Sequence, residues 1–164
     1  METGFRIKTV LPAAPKAVFK AWLSGREHAA MTGAAATASA KVGRQFTAWD
    51  GYIEGKNLEL KPHWCIVQSW RTTKFAKSDP DSRLELCIHA KGDGCELLLI
   101  HTEIPPDQVA GYRSGWVEYY FAPMKRYFAA RKSSKKTPKK APRRKPAKRS
   151  AAKKKITRRR QRRR

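Results

Sequence analysis

The chain divides sharply by residue type. All five Trp, five Tyr and six Phe lie before Ala129, and no Asp or Glu occurs from Arg131 onward. Of the 37 Lys and Arg, 20 fall in residues 131–164. The other 17 share residues 1–130 with all 13 acids, so that part carries only +4 of the net +24. The sequence pI of 10.5 therefore describes the last fifth of the chain. Charge asymmetry of this kind marks an interaction tail. With Ile156 as its one large aliphatic residue, the tail buries too little apolar surface to offset backbone ordering, roughly 1–2 kcal/mol per residue. The composition thus predicts one domain over 1–130 and a disordered polycationic tail over 131–164. The first part is long enough for one ordinary core.

No run of about 18 apolar residues is present, so no membrane span is expected. The start, Met1-Glu2-Thr3-Gly4-Phe5-Arg6, lacks the charged-then-apolar pattern of a secretion signal. Cys65, Cys87 and Cys95 have no CxxC spacing and are odd in number, which reads as reduced thiols in a cytoplasmic protein.

Alternation over Phe5–Val10 predicts a strand. Pro15 then suits the first turn of a helix, and Val18, Phe19, Trp22 and Leu23 give that helix an apolar stripe. A second short helix is predicted over Arg26–Met31, closed by Gly33. From Ser39 to Pro105 the pattern is β, with about six strands: Lys41–Trp49, an Asp50-Gly51 turn, Tyr52–Lys61 interrupted at Gly55-Lys56-Asn57, Trp64–Trp70, a run alternating at Leu84, Leu86 and Ile88, a Gly92-Asp93-Gly94 turn, and Glu96–Ile104. Short connections make the sheet antiparallel. Pro105-Pro106 ends it, and Asp107 is placed to cap a helix from about Gln108 to Ala130. Aromatic residues recur along that helix at a 3–4 spacing, and Pro123 should kink or restart it. A long aromatic helix needs a large apolar surface, which a curved sheet supplies; the result is an α+β two-layer domain.

Three segments carry a family resemblance. They are Phe46-Thr47-Ala48-Trp49-Asp50-Gly51-Tyr52-Ile53-Glu54-Gly55 with Ile66-Val67-Gln68-Ser69-Trp70-Arg71, the early Pro15-Lys16-Ala17-Val18-Phe19-Lys20-Ala21-Trp22, and the late Gly115-Trp116-Val117-Glu118-Tyr119-Tyr120-Phe121-Ala122-Pro123-Met124. Together they resemble the AHSA1-like (activator of Hsp90 ATPase homologue) family of the START/Bet v 1-like SRPBCC superfamily, over about residues 5–129. The resemblance implies a helix-grip fold, in which a curved antiparallel sheet of about seven strands wraps a long C-terminal helix. It also implies a space between sheet and helix that in this superfamily is often a cavity for an apolar ligand. Members of similar fold include cochaperones, ligand binders and cyclases, so fold alone does not assign function. The implied partners are a small apolar ligand or a protein such as an Hsp90-type ATPase.

Phe46, Trp49, Tyr52, Trp64, Trp70, Trp116, Tyr120 and Met124 are the candidate lining of such a pocket, with Gln68, Arg71, Tyr112 and Tyr119 as candidate polar groups within it. A packed aromatic core uses the same residue types, and Arg71 also reads as a sheet-edge residue paired with an acid such as Glu85. Both readings stay open on sequence. For catalysis there is little. No HExxH, GxSxG, Walker loop or GxGxxG occurs, and no cofactor is implied. Among the histidines His28, His63, His89 and His101, the pairs Cys87-x-His89 and Cys95-x5-His101 sit on adjacent predicted strands. Each pair shares strand parity, so a Cys/His zinc cluster is geometrically conceivable, although small core cysteines and surface histidines explain the same residues. A general acid–base pair such as Glu103 with His101 is conceivable although nothing in the sequence favours it, and a cyclase-like enzyme using the cavity is a separate alternative.

In the tail, Lys135, Lys136, Lys139, Lys140, Arg143, Arg144, Lys145, Lys148, Arg149, Lys153, Lys154, Lys155, Arg158, Arg159, Arg160, Arg162, Arg163 and Arg164 are spaced by Pro, Ala and Ser. The composition is similar to the Lys/Ala/Pro-rich tails of linker histones. Such a segment binds polyanions by counterion release. With no aromatic interleaved, stacking readout is not encoded. The expected partner is nucleic acid, bound without sequence preference, in the nucleoid of a bacterium or the nucleus of a eukaryote.

Overall fold

A computed structural model describes residues 3–136. Strand β1 (Phe5–Leu11) is followed by helices α1 (Pro15–Trp22) and α2 (Gly25–Thr32), then strands β2 (Gln45–Ala48), β3 (Ile53–Lys61), β4 (Cys65–Thr72), β5 (Ser82–Lys91) and β6 (Gly94–Thr102). A helical segment spanning Val109–Lys136 completes the order. The strands form one antiparallel sheet in the order β1-β6-β5-β4-β3-β2. This is the expected α+β arrangement of a curved open sheet packed on a long final helix.

The sheet has six strands where about seven were expected. Between Gly33 and Arg44 the chain is rich in Ala and Gly, and its one β-branched apolar residue, Val42, is exposed. Such a stretch lacks the side chains that fit a pleated, half-buried surface. It contributes a single bridge, Thr37 to Thr47. The predicted strand over Lys41–Trp49 shrinks to Gln45–Ala48 for a related reason. Gly43, Trp49, Asp50 and Gly51 all have positive φ, which no strand accommodates.

Helix starts follow the sequence rules. Pro15 occupies the first turn of α1, and Ser24 caps α2 by accepting the Glu27 amide at 3.3 Å. Gly33 closes α2 at φ +83°. The final helix departs in two respects. Asp107 makes no cap; it sits in a 3-10 turn, Pro106–Gln108, ahead of α3 (Val109–Trp116). Pro123 does not break the rod. One π turn over Val117–Phe121 precedes it, with the Ala122 amide donating to the Val117 carbonyl, and α4 (Ala122–Lys136) continues. Proline cannot donate into the ladder, and a π turn reroutes the bonds around it. The helix thus runs beyond Ala130, through the first tail cations. Arg131 reaches Glu27 at 2.8 Å and Lys132 reaches Asp93 at 2.5 Å.

β5 and β6 alternate cleanly. Leu84, Leu86 and Ile88 on β5, and Cys95, Leu97, Leu99 and His101 on β6, are buried against the helical layer with Met124 and Phe128. On β3, Gly55 lies where the backbone of β4 passes. A Cβ built there would fall inside the van der Waals envelope of the Ser69 carbonyl and crowd the Phe46 ring. Gly55→Ala should therefore lower stability by about 3 kcal/mol, the upper part of the range for overpacking. Urea unfolding would check this; a loss under about 0.5 kcal/mol, the level of an ordinary surface substitution, would contradict it.

Candidate functional site

Sheet and final helix part at one end to leave a cleft of about 540 Å³. Its floor is Trp70 from β4 with Trp116 and Tyr120 from the helix, all buried. Trp49, Tyr52, Ile53, Tyr112 and Tyr119 form walls and rim, and Lys74, Asp107 and Gln108 stand at the same rim. The rings interlock edge to face or tilted. Trp70 lies 4.9 Å from Tyr112, Trp116 lies 4.5 Å from Tyr120, and Trp49 lies 5.8 Å from Tyr119. Such arrangements match the ring quadrupoles and fix ring orientation.

Local structure explains why Trp49 points here. The Tyr52 amide donates to the Trp49 carbonyl at 3.0 Å, closing a turn whose central residues Asp50 and Gly51 have φ 56° and 83°. These are the left-handed values a type I′ turn requires. Asp50 Oδ1 accepts the Ala35 amide at 2.9 Å, which anchors the turn. Trp49 itself has φ 52°, a conformation costing roughly 1–2 kcal/mol for a residue other than glycine.

The polar heads of Trp116 and Tyr120 point away from the cleft into a hydrogen-bonded layer. Trp116 Nε1 donates to His101 Nδ1 at 3.1 Å. Nδ1 is then an acceptor, so Nε2–H donates to Ser82 Oγ at 2.8 Å, and the Ser82 hydroxyl donates to the Trp70 carbonyl at 2.6 Å. This chain of donors holds His101 in one neutral tautomer. Burial lowers its pKa to about 3. His28 is fixed similarly. Its Nδ1–H donates to the Trp22 carbonyl at 3.1 Å and its Nε2 accepts from Tyr120 at 3.2 Å. Burial lowers its pKa, opposed in part by that backbone bond. Tyr112 donates to Gln108 Oε1 and meets the Thr72 hydroxyl, both at 2.6 Å. Burial raises its pKa to about 12. The cleft therefore presents ring faces and edges, with no titrating group on its floor.

Of the twelve residues singled out from sequence, seven line the cleft: Trp49, Tyr52, Trp70, Tyr112, Trp116, Tyr119 and Tyr120. The others stand elsewhere. Phe46 and Met124 are in the core. Gln68 is buried, accepting from Trp22 Nε1 at 3.1 Å and donating to Asn57 at 2.8 Å. Trp64 is 51% exposed at the β3–β4 turn, with the Lys61 ammonium over its ring. Arg71 pairs with Asp81 at 3.0 Å, in place of the expected Glu85, and binds the Ala76 and Asp79 carbonyls, closing the loop that precedes β5. Parity along a strand does not say which end of a sheet a side chain serves, so Gln68 and Trp70 were inseparable in sequence. Lys74, Asp107 and Gln108 were missed because each sits in a loop or turn with no periodic signal.

Two glycines carry the most information. Gly111 and Gly115 lie on α3 and face the cleft. A Cβ at Gly111 would meet nothing within 4 Å, and one at Gly115 only the Tyr119 ring at 3.8 Å. Neither has positive φ. Packing and backbone geometry would thus accept alanine, yet each glycine costs the helix about 1 kcal/mol. What both provide is open space above the aromatic floor.

The zinc alternative fails on geometry. The Cys95 and His101 side chains are on the buried face of β6, six residues apart, roughly 20 Å along a strand. Cys87 and His89 belong to the opposite, outward parity of β5, and Cys87 registers with Cys65. Among the described residues no three ligating side chains converge. Glu103 is exposed at φ 60° while His101 is committed to Trp116 and Ser82, so they form no acid–base pair. Of the tail cations, Lys135 and Lys136 end α4, and those from Lys139 to Arg164 lie outside the described residues, as does the predicted disorder of that segment. No helix among the described residues is long and apolar enough to cross a membrane.

An open antiparallel sheet gripping a long helix over an aromatic cleft defines a helix-grip domain of the Bet v 1/SRPBCC kind. The family model described as "Activator of Hsp90 ATPase homolog 1-like protein" matches residues 12–129, and the chain belongs to that family. A similar curated protein is the human activator of 90 kDa heat shock protein ATPase homolog 1, 26% identical over 132 residues. That match takes in 74% of this chain and only 36% of the human protein, so the chain spans about a third of the relative's length. Among solved structures, an HSP90 activator from Plasmodium falciparum superposes with TM-score 0.67 at 22% identity, covering 73% of this chain and 91% of that one. The Aha1 dimer from Colwellia psychrerythraea gives 0.66 at 12% identity, covering 76% and 95%. At these identities the likeness shows the fold.

Proposed function

We propose that the domain is a non-enzymatic binding module whose cleft takes a small, flat, apolar molecule, and that the cationic residues beyond it hold the protein on nucleic acid. The observation that carries the first half is the pair of glycines: Gly111 and Gly115 weaken a helix without packing need and keep a ring-lined space open. Ring faces and committed polar heads favour a planar, weakly polar ligand. Lys74, Asp107 and Gln108 at the rim can orient a polar end.

The test uses N-phenyl-1-naphthylamine, an uncharged aromatic fluorescent probe that the cationic residues do not attract. The wild type should bind it at one site with fluorescence enhancement. Gly115→Leu and Gly111→Leu should each weaken that binding at least tenfold while raising helix stability by up to about 1 kcal/mol, so the loss is not unfolding. Unchanged affinity in both variants would overturn the cleft assignment.

The second half rests on the run of 20 cations without an acid. A second reading, a cochaperone acting on an Hsp90-type ATPase, is favoured by the family description and by the human and Plasmodium relatives. It predicts a changed ATPase rate on mixing with the purified chaperone. No rate change and no complex would end it.

A further inference from the structure

A second concavity, about 640 Å³ and more open, lies at the far edge of the sheet. Lys41, Arg44 and Lys56 line it with Ser39 and Gln45. All three cations are exposed, and no ion pair among the described residues uses them. Three like charges crowd together here outside any ion pair, an arrangement that raises local potential and attracts anions.

The loop that brings them together is held from below. Asn57 is buried on β3, and its amide nitrogen donates to the Ser39 carbonyl at 2.6 Å and the Lys41 carbonyl at 3.0 Å. Its oxygen accepts from Gln68, which in turn accepts from Trp22. The Gly43 amide donates to the Asn57 carbonyl at 2.8 Å, and the Asn57 amide donates to the Arg44 carbonyl at 3.0 Å. Gly43 at φ +78° makes the bend. Lys56 then faces this loop from β3, paired in register with Gln45. A buried polar relay, running from α1 through β4 and β3, therefore fixes the backbone under three unpaired cations. Preorganisation of this kind removes ordering cost from binding.

We infer that this concavity is an anion site that seats phosphate of a nucleic-acid backbone, a second contact beside the cationic tail. The inference rests on the polyanion reading of that tail. Arg44 supplies a planar fork suited to phosphate oxygens, and Lys41 and Lys56 supply flanking charge.

The test is made in the full chain, by fluorescence anisotropy with short random-sequence duplex DNA from about 50 to about 200 mM salt. Lys41→Ala/Arg44→Ala/Lys56→Ala is compared with a control that removes three exposed cations elsewhere, Lys16→Ala/Lys20→Ala/Lys77→Ala. Each phosphate that is no longer neutralised lowers the log–log salt slope by about 0.9, so the concavity variant should lose about 2.7 and the control less than about 1. Equal loss in both variants, or no loss in the concavity variant, would overturn the inference while leaving tail binding intact. A wild-type chain with no affinity for duplex DNA would overturn the tail reading and, with it, the nucleic-acid assignment of this site. Inorganic phosphate followed at the Gly43 and Arg44 amides separates the sources. Shifts there without a change of DNA slope would mark a free-phosphate site and also overturn the assignment.

Discussion

Ending the chain at Lys136 is expected to lower its affinity for random duplex DNA by at least about 10²-fold at moderate salt. Residues 137–164 hold most of the 20 cations that follow Ala130 and no acid. If about eight of those cations engage phosphates, log affinity falls with log salt at a slope near −7. The shortened chain would keep only the phosphates the domain itself engages, with a slope near −3 or shallower if Lys41, Arg44 and Lys56 are the groups that engage them. Affinity and slope must fall together, because each released counterion contributes to both. Anisotropy titrations of the two chains across a salt series check this. Equal affinities would show that the tail is not the tether, and a fall in affinity at constant slope would point to a contact other than phosphate.

The second large effect is acid lability. Two buried histidines, His28 and His101, are held neutral by burial, His101 with a pKa of about 3. In the unfolded chain both return to about 6.5. Below that pH the unfolded state binds protons that the folded state refuses. Stability is therefore fully present above about 6.5 and is lost as pH falls toward the folded values, by up to about 1.4 kcal/mol per pH unit for each histidine. Urea midpoints between about pH 7 and pH 4 should fall steeply. His101→Leu should lower stability at neutral pH by about 2–4 kcal/mol, because it strands the Trp116 indole N–H and removes the donor to Ser82. It should also make the acid slope shallower, by up to about 1.4 kcal/mol per pH unit. A variant whose slope equals that of the wild type would show that His101 does not control acid unfolding.

Much of this architecture was legible in sequence, for reasons that differ by element. The strands β1, β5 and β6 and the start of α1 announced themselves because one face of each strand is largely buried and because Pro15 marks a helix start. The missing seventh strand was not legible. The residue pattern and the resemblance both implied it, while the Ala- and Gly-rich stretch before β2 has too little apolar surface to hold one. The π turn before Pro123 was half legible: the proline marked the place, but a rerouted ladder depends on which tertiary contacts hold the rod together. For the cleft, aromatic type and strand parity found the rings, whereas the rim residues Lys74, Asp107 and Gln108 needed three dimensions. Arg71 shows the same limit, since its partner Asp81 lies across a loop whose path no periodicity records.

The five tryptophans report directly on whether the aromatic cleft is the ligand site. Trp49, Trp70 and Trp116 line the cleft; Trp22 lies behind it in the core and Trp64 is on the surface at the β3–β4 turn. Titration of the 15N-labelled full chain with uncharged N-phenyl-1-naphthylamine, followed at the five indole N–H resonances, should shift Trp49, Trp70 and Trp116 together, saturably, and leave Trp64 in place. Shifts confined to Trp64, or no saturable shift at the three cleft indoles, would contradict a ligand site in the cleft.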